Sequence, residues 1–144
     1  MKSFTVRIAT WQEDSHELRA IRETVFILEQ HVPIELEWDG LDVDCLHVLA
    51  ASSAGESIGT ARLLPDGHIG RMAVLKEWRG RGVGSALLQL LLAETRKCQV
   101  RQAVLNAQTS AAGFYAKFGF QTVGEEFMDA GIPHVKMVLP LQEN

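Results

Sequence analysis

The sequence lacks most features that announce a specialised role. It holds only two cysteines, Cys45 and Cys98, in neither a metal-ligand spacing nor a disulfide framework. Free thiols suit a reducing cytosol. No run approaches the roughly 18 apolar residues that a membrane helix requires, and the opening MKSFTVRIATWQEDSHE has no signal-peptide core. A cytoplasmic protein with no membrane partner is therefore expected. Positive charge is scarce too: 14 Lys and Arg stand against 18 Asp and Glu, for a net charge of −4. A chain whose main task is gripping nucleic acid needs a clustered cationic surface, so that partner is excluded. The one strongly basic cluster is local, at Lys76, Arg79 and Arg81, and suits a small anion. His16, His31, His47 and His68 have no partner spacing that implies a metal, so none is expected. No repeat, linker or low-complexity tract interrupts the chain, and a single domain over residues 1–144 is expected.

What is present is a globular composition, 47% hydrophobic and 22% charged. Apolar–polar alternation predicts a strand over 4–9. Asp14 and Glu17 have capping-box spacing, and Leu18, Ile21, Val25 and Leu28 recur at helical intervals, predicting a helix over 15–29. Residues 31–44 read as a loop or short irregular helix, because Pro33 interrupts them and Glu35, Glu37, Asp39, Asp42 and Asp44 crowd them with no basic partner. Strands over 46–51, 57–64 and 68–75 form a meander, with Pro65, Asp66 and Gly67 as a strong turn. Leu87, Leu88, Leu91 and Leu92 then line a helix ending near Cys98. A strand over 102–107, a short helix over 110–118 stopped at Gly119, and strands over 120–124 and 134–139 complete the order β-α-β-β-β-α-β-α-β-β.

The informative stretch is WRGRGVGSALLQLLLAE, residues 78–94. A helix N-terminus leaves backbone N–H groups unpaired, and these attract anions together with the aligned peptide dipoles. Gly80, Gly82 and Gly84 let a diphosphate approach the backbone, and Arg79 and Arg81 add charge-assisted hydrogen bonds. A P-loop would place Lys-Ser or Lys-Thr after the last glycine, but Ser85-Ala86 follows. A dinucleotide fingerprint needs G-x-G-x-x-G, and here the glycines are spaced by two.

The pattern that fits is Arg-x-x-Gly-x-Gly at Arg79, Gly82 and Gly84, after GRMAVL and before the leucine helix. With VLNAQTSAAGFYAKFGF downstream, the chain resembles the GNAT superfamily of N-acetyltransferases over about Gly70 to Thr122. VFILEQHVP and GIPHVKM resemble its ElaA-like branch. The resemblance implies an α+β fold with a mixed, mostly antiparallel central sheet flanked by helices. It implies acetyl-CoA as co-substrate, a small-molecule or peptide amine as acceptor, and a homodimer as the family-level assembly.

In that family the strand before the cradle splays from its neighbour and binds the pantetheine arm as an added strand does. Here this falls on Met72, Ala73 and Val74, and an N–H at the start of this segment would meet the thioester carbonyl. The pyrophosphate would sit on Arg79, Gly80, Arg81, Gly82, Val83, Gly84 and Ser85. Tyr115 aligns with the tyrosine that protonates the departing thiolate, the alternative being a packed aromatic that only touches the cofactor. Asn106 is expected either at the cofactor arm or as a satisfied strand-end amide. Glu29 and His134 are the candidate general bases, with a helix-end hydrogen bonder and an edge-strand residue as their alternatives. The acidic run lies where the family shapes its acceptor site. It suggests a cationic acceptor, or else a solvated loop. Trp38 within it suits amine recognition or anchors the loop. Acetyl transfer by direct attack in a ternary complex is the functional reading. A non-catalytic acyl-CoA-binding or sensing module is the alternative.

Overall fold

The alternating segments of the N-terminal half form four strands in the computed structural model, which describes residues 3–141. These are β1 (Phe4–Ala9), β2 (Leu46–Ser52), β3 (Ser57–Leu63) and β4 (His68–Val74). With β5 (Gln102–Gln108), β6 (Gln121–Asp129) and β7 (Ile132–Pro140) they make one sheet in the order β1-β2-β3-β4-β5-β7-β6. Every neighbouring pair is antiparallel except β4 and β5. The α+β class and the element order match the expectation. Strand β6 runs to Asp129, past the predicted 124, because every position along it is exposed and no burial rhythm marks its length.

Helix α1 (Trp11–Arg22) begins four residues before the predicted start. Thr10 is the cap: its Oγ1 accepts from the Glu13 N–H at 3.2 Å, and the Asp14 carboxylate accepts from the Thr10 N–H at 3.0 Å. Asp14 thus closes a box begun by Thr10 rather than opening one with Glu17. The helix continues as a π-helical segment, Glu23–Glu29, where the Gln30 N–H reaches back to the Val25 carbonyl at 3.1 Å. Residues 31–44 contain α2 (Ile34–Glu37) and a 3-10 turn at Asp42–Asp44. Helix α3 (Val83–Lys97) and the short α4 (Ala112–Ala116) complete the set.

Side chains alternate across a strand, so β2 feeds both faces of the sheet. Val48 and Ala50 pack with Leu87, Leu88 and Leu91 of α3, while Leu49 packs with Leu18, Ile21 and Val25 of α1 and its extension. Helix α3 lies close on β3: a Cβ at Gly59 would stand 3.0 Å from Leu87 Cδ1 and from Val83 Cγ1.

The site is positioned by a failure of pairing. Strands β4 and β5 register only at His68 with Val104 and Ile69 with Leu105. Gly67 pins this junction: at φ 97° its missing Cβ would stand 2.9 Å from the Gln102 carbonyl oxygen. One step further β4 bulges. Thr60 faces Ala73 and Arg62 faces Gly70, so Arg71 and Met72 oppose the single residue Ala61. Arg71 occupies the left-handed region at φ 51°. A bulge bends its strand, and beyond it the sheet opens.

Candidate active site

A cavity of about 850 Å³ occupies the opening. Its walls come from β4, from β5 at Leu105, Asn106 and Gln108, from the first turn of α3, from Tyr115 on α4, and from the π-helical segment at Phe26. Beyond Ile69, the edge of β4 that carries Met72, Ala73 and Val74 has no strand partner on the β5 side. Apart from the Val74 carbonyl, which accepts from Arg79 Nε, an edge without a strand partner among the described residues suits an extended ligand.

At one end of the cavity lies the glycine-rich turn. Gly80 and Gly82 have φ of 75° and 87°, and neither has an atom within 4 Å of where a Cβ would stand. Gly82 is the N-cap of α3; no side chain caps the helix and its first turn holds no acidic residue. The leading N–H groups of α3, at Val83, Gly84 and Ser85, therefore face the cavity with the positive end of the helix behind them. Gly84 lies against the Phe114 ring, 3.5 Å from its own notional Cβ. Val83 spends its side chain in the core, at 1% exposed, so its contribution is main-chain. The geometry fits an extended, diphosphate-bearing ligand: an open strand edge leads to an uncapped helix end.

The arginines are placed less simply. Arg79 Nε donates to the Val74 carbonyl at 2.9 Å, and its two Nη atoms hold the Glu29 carboxylate at 2.6 and 2.7 Å. Arg81 is exposed, with its guanidinium 5.8 Å from the Trp78 ring centroid. Arg79 lines the cavity and Arg81 does not. Glu29 also stands outside it, and the Arg79 hydrogen bond holds its carboxyl below the usual range. That environment opposes proton acceptance.

Tyr115 and His134 both line the cavity. The Tyr115 hydroxyl donates to Met72 Sδ at 3.7 Å, which places it beside the bulge, and burial pushes the phenol up to about 12. His134 lies at 9% exposure, stacked on Phe127, with Nδ1 2.7 Å from the Ile132 carbonyl oxygen. A carbonyl only accepts, so Nδ1 carries the proton and Nε2 of the neutral ring keeps its lone pair. Asn106 lines the cavity at an exposed position of β5. Gln30 and Gln108 were not singled out by the sequence; they bridge the cavity walls at 2.8 Å, across 78 residues of chain.

The acidic run is corrected in part. Glu37, Asp39 and Asp42 have basic partners, supplied by distant elements. Arg22 of α1 binds Glu37 at 2.7 Å and Asp42 at 2.6 Å. Arg62 of β3 binds Asp39 and reaches Asp42 at 2.9 Å. Arg71 reaches Glu37 and Asp39, each at 3.3 Å. Arg22, Glu37, Asp42 and Arg62 are all buried. Burial pushes Asp42 up, but the bonds and charges of Arg22 and Arg62 outweigh it and the carboxyl titrates below its ordinary range. Asp39 is held low by its hydrogen bond to Arg62. Glu37 runs the other way, burial raising it against Arg71 and Arg22. Trp38 does not line the cavity; its ring stacks 5.0 Å from the guanidinium carbons of Arg19 and Arg22, anchoring the loop. Three of the five carboxylates thus meet three guanidiniums, while Glu35 and Asp44 are exposed.

Similarity to known proteins shows the family and the fold. A family model described as an acetyltransferase (GNAT) domain matches residues 13–141. A Bacillus subtilis protein whose name assigns it provisionally to the acetyltransferases is 40% identical over 138 residues, covering 92% of this chain and 93% of its own. The crystal structure of an acyl-CoA N-acyltransferase from Pseudomonas aeruginosa superposes with a TM-score of 0.84 at 28% identity, covering 94% of this chain and 99% of that one. Escherichia coli ElaA superposes with a TM-score of 0.83 at 29% identity, with the same coverage of 94% and 99%.

Proposed function

The chain belongs to the GNAT acetyltransferase family, and from that premise we propose that it moves the acetyl group of acetyl-CoA to a primary amine by direct attack in a ternary complex. Acetyl-CoA supplies an activated thioester. The observation that carries the reading is the unpaired edge of β4 leading to the uncapped N-terminus of α3. Met72, Ala73 and Val74 hold the pantetheine arm through their main chain. The diphosphate rests on the turn from Arg79 to Ser85, chiefly on backbone N–H groups. Asn106 borders the arm from β5.

Tyr115 is the acid. Its phenol stays protonated at neutral pH, because burial moves its titration to about 12, and it gives that proton to the departing sulfur. His134 is the base. Its proton on Nδ1 is held by the Ile132 carbonyl, and the Nε2 lone pair takes the proton that the amine must lose. Glu29 stays out of the proton path, since its ion pair with Arg79 stiffens the cradle instead. Neither Cys45 nor Cys98 lines the cavity, so no acyl-enzyme step is invoked. Both are free thiols, which suits a cytoplasmic setting.

The test is release of free thiol from acetyl-CoA across a panel of amino acids, polyamines, aminoglycosides and peptides. Amine-dependent release supports transfer. Tight acetyl-CoA binding with no release from any amine supports the binding-module reading.

A further inference from the structure

Within the ionic cluster that holds residues 31–44, Arg71 is a guanidinium that also lines the cavity. Arg71 sits on the β4 bulge at φ 51°, in the left-handed region that disfavours a side-chain-bearing residue. The bulge turns its side chain toward α2. There Nη2 donates to the Leu36 and Glu37 carbonyls, both at 3.1 Å, and to Asp39 at 3.3 Å. That crowded corner fixes the guanidinium plane. Nε is buried against Glu37 Oε2 at 3.3 Å without forming a hydrogen bond, and Nη1 has no hydrogen-bond partner among the described residues. The side chain remains 26% exposed and lines the cavity.

Its neighbours are otherwise engaged. Arg62 also lines the cavity, but both of its Nη atoms are bound by Asp39 and Asp42. Among the lining carboxylates, Glu37 is bound by Arg22, Asp66 is paired with His68 at 3.0 Å, and Asp129 stands exposed at the β6–β7 turn. Arg71 also directly precedes Met72, whose sulfur receives the Tyr115 hydroxyl. Arg71 and Tyr115 line the same cavity. Phe26, Val32, Leu36, Leu64 and Ile69 give this end apolar walls.

Resting on the acetyltransfer reading, we infer that the acceptor carries an anionic group, carboxylate or phosphate, close to its amine, and that Nη1 of the Arg71 guanidinium receives it. A guanidinium suits both oxyanions because its donors are planar and fixed. The apolar walls favour a compact acceptor with a hydrocarbon body. Arg71 is in this account a specificity-determining residue.

The experiment measures thiol release at saturating acetyl-CoA for matched amines: amino acids against their carboxamides, and O-phosphoethanolamine against ethanolamine. A carboxamide makes the neighbouring amine a freer nucleophile, so reactivity alone favours the neutral partner. Wild-type protein should prefer the anionic partner of at least one pair by about tenfold or more in kcat/KM, the scale of a charge-assisted hydrogen bond. The pair that shows it identifies the anion. In Arg71→Gln the ratio should fall toward one, chiefly through KM, and Arg71→Lys should lie between, keeping the charge without the planar guanidinium. Equal or better use of the neutral partners by wild-type protein overturns the inference, as does an undiminished ratio in Arg71→Gln. Melting temperature and acetyl-CoA binding heat check that the variants fold; if Arg71→Gln does not, the wild-type ratios and Arg71→Lys decide. If no amine releases thiol, the melting temperature of the CoA-saturated protein separates the two claims. Stabilisation by an anionic partner but not its neutral mate keeps the anion site and removes catalysis, whereas no difference removes both.

Discussion

Tyr115 shows how much one side chain's surroundings decide. A tyrosine phenol ordinarily titrates near 10, and here burial carries it to about 12. The protonated form is the one that donates, so activity should show no alkaline loss from this group at any pH where the protein is assayed. The same shift fixes a sign for stability. The folded state holds the proton more tightly, so its contribution is intact below about 10 and is lost as pH rises toward 12. Tyr115→Phe should lower kcat by about 10²-fold or more, the lower range for a lost general acid, while leaving the acetyl-CoA dissociation constant within a few-fold. Retained turnover would reduce Tyr115 to a packing role beside Met72. At this scale the sequence was partly legible. A tyrosine in GFYAKFGF announced itself through the motif around it. Arg71 had no such signal, because the bulge that aims it is a product of register between two strands, which no local pattern encodes.

At the scale of elements, the loop at residues 31–44 is held by a buried ionic cluster rather than by its own hydrogen-bonded structure. The local sequence shows only carboxylates, and the arginines that answer them come from α1, β3 and β4. Such pairing is legible only once the elements meet. Asp42→Ala would leave Arg22 and Arg62 buried without their shared partner, and breaking a buried pair of this kind costs about 3–5 kcal/mol. Thermal unfolding of the variant checks this. Acid should act through the same cluster. Asp39 and Asp42 have lowered pKa values, so their stabilisation is present above the ordinary carboxylate value near 4 and is lost as pH falls below it. Glu37, raised by burial, runs opposite and is relieved first. Melting temperature should therefore hold through mildly acidic pH and fall below about 4. A steady decline from neutral pH downward would contradict the assignment. Helix boundaries followed a similar logic. The leucine stripe of α3 declared that helix plainly, whereas the polar first turn of α1 concealed its start at Trp11.

For the whole molecule, the arrangement makes binding a main-chain property. Helices α1 and α3 pack on opposite faces of the sheet, and β4 and β5 part beyond the bulge in β4. The glycine-rich turn at the start of α3 borders that opening. The cradle was readable because arginine and glycine spacing reports backbone geometry, and backbone geometry is what holds the coenzyme. The acceptor end was not readable, since its walls are gathered from β4, α2, the β6–β7 turn and the π-helical segment. The measurement that tests this most directly is calorimetric titration of acetyl-CoA into the wild-type protein and into Gly82→Val, with melting temperature recorded for both. The account predicts saturable binding of one acetyl-CoA per chain by the wild type. A side chain at φ 87° on the N-cap of α3 should weaken that binding by about tenfold or more in a variant that still unfolds cooperatively. Absence of heat with the wild type, or equal affinity in a folded Gly82→Val, would contradict it.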